Sequence, residues 1–144
     1  MLKFVLLVAS VLISLLMPAS CTRRDETPLV EAVRSGNLVA VRTLARGAAA
    51  LNAVDSHNGW TPLLHAVHTH QLRSALLLLE LGADVNGRAR DGYTPLMMAA
   101  GYGDTSFVRA LLNAGADPRL ESNDGATALS GAVGGVGHTE TESP

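Results

Sequence analysis

The chain has few of the residues that usually announce chemistry. Its single cysteine, Cys21, excludes an internal disulfide, and its place in the N-terminal segment argues against a cysteine nucleophile. Its single lysine is Lys3, so the remaining base is ten arginines against 13 acids. That balance argues against the basic footprint of a nucleic-acid binder. Aromatic residues make up only 3% of the chain: one Trp, two Tyr and two Phe. No serine sits in a Gly-x-Ser-x-Gly elbow, and no glycine-rich loop follows a strand and opens a helix. Apolar runs stay short as well. The longest, 4–17, holds 14 residues, whereas a membrane helix needs about 20.

What the chain does have is repetition. Thr27-Pro28-Leu29, Thr61-Pro62-Leu63 and Thr94-Pro95-Leu96 are followed by a weakened fourth copy, Thr127-Ala128-Leu129, and the threonines lie 34, 33 and 33 residues apart. A fixed period of this size means stacked units rather than one closed core. An alanine stands five residues after each threonine (Ala32, Ala66, Ala99, Ala132), and Gly-Ala pairs recur at Gly47, Gly82 and Gly115. Asn58-Gly59, Asp91-Gly92 and Asp124-Gly125 precede the last three threonines as turn signals.

One unit can be built from elementary rules. Thr94 is placed to cap a helix and Pro95 to enter its first turn, where a missing N–H costs nothing. Leu96, Ala99 and Ala100 recur at helical spacing, which predicts a first helix over 95–102 that Gly103 ends. Phe107, Val108, Leu111 and Leu112 mark a second, with Gly115 as its C-terminal cap. Helices of about two turns are unstable alone in water, so each unit must bury its apolar face on its neighbours. Leu63, Leu64, Leu76, Leu77, Leu96, Leu111 and Leu112 are the expected core.

The whole phrase, with its endings Gly82-Ala83-Asp84-Val85-Asn86 and Gly115-Ala116-Asp117-Pro118, resembles the ankyrin repeat over roughly 26–133. The resemblance implies an all-α solenoid of stacked helix-turn-helix units. It divides the chain into units at 27–60, 61–93 and 94–126, a partial cap at 127–133 and a flexible tail at 134–144. Departures are visible. The first unit's second helix looks one residue short and the loop after it about two residues longer. His70 stands where the other units have Gly36 and Gly103, and the last unit carries Gly131, Gly134, Gly135 and Gly137 in and after its only helix.

The resemblance also implies a non-enzymatic protein-binding module that meets its partner through a concave face of turn tips and first helices. Carried over by position, that face holds Trp60, Tyr93, Arg34, Ser35, His68, Thr69, Gly101 and Tyr102, with Asp55, Ser56, His57, Arg88, Ala89 and Arg90 at the turn tips. Trp, Tyr and Arg are the usual interface hot spots, so Trp60, Tyr93 and Tyr102 are expected as anchors and Arg88 and Arg90 as sites for acidic groups. The partner could be a toxin or envelope enzyme that the protein neutralises, or an oxidative-stress enzyme that it supports. End-to-end pairing of stacks through the frayed cap is a competing, structural role. His65, His68 and His70 are the one metal candidate, weakened because no acid or thiolate lies in their helix. No cofactor and no catalytic residue is expected.

The first twenty residues read as a targeting segment: Lys3, the apolar stretch 4–17, then the small residues Ala19 and Ser20 before Cys21. The position of Cys21 resembles the bacterial lipobox, although Pro18 replaces the usual aliphatic residue. Lipidation at Cys21, ordinary cleavage to a soluble protein and an uncleaved anchor are three outcomes for this segment. Each implies export, to the periplasm or the periplasmic face of an outer membrane. With a lipidated Cys21, residues 22–26 form a linker of roughly 17 Å when fully extended.

Overall fold

The computed structural model describes residues 27–135, so the expected targeting segment, Cys21 with its linker, and residues 136–144 of the expected tail lie outside the described residues. Eight helices follow one another, with no strand among the described residues: α1 (Pro28–Arg34), α2 (Leu38–Leu44), α3 (Ala48–Leu51), α4 (Pro62–His68), α5 (Leu72–Glu80), α6 (Pro95–Gly101), α7 (Thr105–Asn113) and α8 (Ala128–Gly135). None is long and apolar enough to cross a membrane.

The first helices α1, α4 and α6 begin alike. The hydroxyls of Thr27, Thr61 and Thr94 accept from the N–H groups of Val30, Leu64 and Met97 at 3.4, 3.3 and 3.3 Å, with proline in the first turn each time. In α8, Thr127 and Ser130 cap one another: each side-chain oxygen accepts from the other's backbone N–H. First helices pack in series, α1 on α4, α4 on α6 and α6 on α8, and the second helices α2, α5 and α7 pack along the outside. Between them runs one continuous core that includes Val33, Leu63, Leu78, Met97, Phe107 and Leu111, each 2% exposed or less.

Two core expectations and one of helix length need adjustment. Leu76 and Leu112 are 48% and 44% exposed. Four consecutive leucines, 76–79, sweep most of the way around a helix at 100° per residue, so one must face outward, and it is Leu76. Leu112 lies on the open side of α7, where among the described residues no further second helix packs. In the first unit, α2 has 7 residues against 9 in α5 and α7. The helix is thus two residues shorter, and the longer loop that follows coils into the single turn α3.

The turns stack as regularly as the helices. Asp55, Ala89 and Ser122 donate their backbone N–H to the carbonyls of Trp60, Tyr93 and Ala126. Each turn then leans on the previous one: Arg90 N–H reaches Asn58 O at 3.0 Å, and Asn123 N–H reaches Asp91 O at 2.9 Å. Gly92 makes this approach possible. Its φ is +85°, and a Cβ there would stand 2.8 Å from the backbone nitrogen of Asn123, closer than real Cβ atoms come.

Candidate functional site

A row of rings crosses the second and third units on the face made by turns and first helices. Trp60 precedes the cap of α4, and its half-buried indole meets His65 and His68 edge-on, with centroids 5.3 and 4.9 Å apart. His68, in the last turn of α4, is exposed, and its Nδ1 shares a 2.7 Å hydrogen bond with Tyr102 Oη one repeat away. Tyr102, the C-terminal cap of α6, is 47% exposed and lies 5.5 Å from the ring of His70. His70 Nδ1 in turn is 3.4 Å from Asp104 Oδ2. Trp60, His68, Tyr102 and His70 therefore form one connected strip.

The three histidines diverge to three partners, and among the described residues no three His, Cys, Asp or Glu side chains gather as metal ligands. His65 is buried, with Nε2 2.8 Å from Asp55 Oδ2. Asp55, expected as an exposed turn tip, is itself only 9% exposed. Its other oxygen accepts from the N–H groups of His57, Asn58 and Gly59. Burial pushes its pKa up, but the hydrogen bonds from Asn58, His65 and Trp60 and the His65 charge outweigh this and hold it below the ordinary 3.8. The residue closes its turn and anchors His65 beneath Trp60. Ala89, in the equivalent position, is also buried, and Ser56 and His57 remain exposed.

The other expected residues divide by what occupies them. Tyr93 is half-buried and packs on the core. The hydroxyl of Thr69 donates to His65 O at 2.8 Å, and that of Ser35 to Glu31 O at 2.9 Å. Arg34 and Gly101 are exposed at the ends of α1 and α6. Arg90 donates to the carbonyls of His57 and Ser56 at 3.0 Å each, and Arg88 to those of Gly92 and Glu121. Both arginines thus brace neighbouring turns, leaving part of each guanidinium at the surface. Asp104 was not expected in the strip; its position four residues before Val108, as the cap of α7, was the available signal.

Family models described as "Ankyrin repeats (3 copies)" and "Ankyrin repeats (many copies)" match residues 8–89 and 76–132. A curated relative, the 2-5A-dependent ribonuclease of Mus musculus, is 37% identical over 67 residues, which is 46% of this chain and 9% of the ribonuclease. The crystal structure of the ankyrin repeat domain of Bcl-3, titled a unique member of the IkappaB protein family, superposes with a TM-score of 0.71 at 38% identity. It covers 75% of this chain and 47% of that one, so the match spans under half of either relative's length. Ankyrin repeats are protein-interaction scaffolds, generally without enzymatic activity. With more than half of its length matched by one family model and the stacked helical pairs to go with it, the chain belongs to the ankyrin repeat family.

Proposed function

We propose that the protein is an exported, non-enzymatic binding module of the bacterial cell envelope that meets a protein partner through the strip of Trp60, His68 and Tyr102. The observation that carries this reading is the linkage of one unit's Trp60 and His68 to the next unit's Tyr102, which holds an amphipathic aromatic surface in place before any partner arrives. Rigid aromatic groups with polar edges are what protein interfaces use as anchors. The export reading is supported by the sequence around Lys3, 4–17 and Cys21.

The test is capture from envelope extract with the tagged chain beside a Trp60→Ala/Tyr102→Ala variant. A protein held by the wild type and lost by the variant, with both giving the same helical circular dichroism, supports the reading. Equal capture by both moves the interface off this face. Labelling with a fatty acid checks the anchor: incorporation is expected in the wild type and absent in Cys21→Ser.

A further inference from the structure

The described arginines fall into two groups. Arg46, Arg88, Arg90 and Arg119 are tied to carbonyls or a carboxylate of their own chain, and Arg34 also has a partner. Arg42, Arg73 and Arg109 make no hydrogen bond or ion pair among the described residues, and all three are exposed on the outer helices α2, α5 and α7.

Their placement is patterned. One row across successive units reads Arg42, Leu76, Arg109; the row one turn before it reads Val39, Arg73, Ser106. Cation and aliphatic side chain alternate along α2 and α5, three residues apart, and across the first row, while Ser106 takes the aliphatic place on α7. Val39 is 77% exposed and Leu76 48%, so the apolar members stand proud rather than sinking into the core. Glu80 is the one acid within these three helices. Open grooves of about 450 and 380 Å³ run between the helices, with Leu76 in both and the three arginines along their walls.

We propose that this outer face docks on an anionic lipid surface. Guanidinium groups match phosphate geometry, and the interleaved Val39 and Leu76 suit the boundary between headgroup and acyl chain, as on an interfacial amphipathic helix. An acidic protein partner is less well matched. Trp60, Tyr93 and Tyr102 all lie away from α2, α5 and α7, so this face has none of the aromatic anchors on which protein interfaces depend. The molecule then has two working faces, one aromatic for a protein and one cationic-aliphatic for lipid.

The experiment is sedimentation of the full chain with vesicles of phosphatidylcholine alone and with one-third phosphatidylglycerol. Any N-terminal anchor acts on both vesicles, and Arg23 and Arg24 are common to the wild type and every variant, so the part of the anionic preference that is lost on substitution isolates the face. A wild-type preference of at least about 100-fold at low salt is expected, falling about five-fold for each single Arg→Gln change and by about 100-fold in Arg42→Gln/Arg73→Gln/Arg109→Gln, down to whatever Arg23 and Arg24 contribute. The corresponding triple Lys variant should retain it, and added salt should weaken it. Trp60→Ala/Tyr102→Ala should leave it unchanged, which separates this proposal from the protein-binding one. No anionic preference in the wild type, or an undiminished preference in the folded Gln variants, overturns it. So does an acidic protein that binds through these arginines with no lipid preference beside it.

Discussion

At the scale of single residues, two positions show chemistry that the repeat pattern alone does not display. Asp55 holds three backbone N–H groups and His65 from inside the fold. A carboxylate whose pKa is lowered by folding stabilises the native state above its unfolded value, and that contribution is lost as pH falls through the lower, folded one. The window therefore lies below the ordinary value of 3.8. Urea unfolding as a function of pH should show Asp55→Asn less stable by about 2 kcal/mol at neutral pH, with a flatter loss in acid; an unchanged acid limb would remove Asp55 from the account. His70 is the second position. Its φ of +54° matches the +68° of Gly36 and Gly103 in the same place, but a side chain there carries strain. His70→Gly should raise stability by about 0.5 kcal/mol after the cost of glycine's extra freedom when unfolded, and Gly103→Ala should lower it by about 1 kcal/mol. Opposite signs in the two urea midpoints are the readout.

At the scale of elements, the Thr-Pro-Leu phrase predicted helix starts because capping is local: the threonine, the proline and the accepted N–H lie within four residues. The same caps are not equally important. Thr94 and Thr61 are 1% and 4% exposed, whereas Thr27 is partly open to solvent. A buried cap lost leaves an N–H that water cannot reach, so Thr94→Ala and Thr61→Ala should each cost about 2 kcal/mol and Thr27→Ala about 0.5–1 kcal/mol. Equal losses in thermal unfolding would mean that burial does not grade the caps. What the sequence did not disclose depends on partners a repeat away. Arg88 and Arg90 read as free cations until the carbonyls of Glu121 and of Ser56 and His57, more than thirty residues distant, are brought beside them. Leu76 and Leu112 read as core because a run of leucines does not say which face meets a neighbour. Trp60 and Tyr102 were legible as face residues, but the His68 bridge that joins them was not, since it needs the register between two units.

At the scale of the whole molecule, stability in a stack is the sum of units and the interfaces between them, and here the terms are unequal. The second and third units contribute Leu63, Leu64, Leu78, Met97, Phe107 and Leu111 to the fully buried set. The first unit has the short α2, and its fully buried side chains are the smaller Val30, Val33 and Val41. Removing a side chain from the centre should therefore cost far more than removing one from the edge: about 3–4 kcal/mol for Leu78→Ala and about 1 kcal/mol for Leu38→Ala, which is only half-buried. The two variants should also differ in how the loss spreads. Leu78 is fully buried in α5, which packs on α4, α2 and α7, so its removal weakens every unit that leans on α5, whereas the effect of Leu38 stays within the first. Amide hydrogen exchange should then find α4 and α6 slowest in the wild type and α2, α3 and the glycine-rich α8 fastest, with Leu38→Ala accelerating α1–α3 alone. Uniform exchange across all units, in the wild type and in both variants, would mean that the stack opens as one body rather than unit by unit.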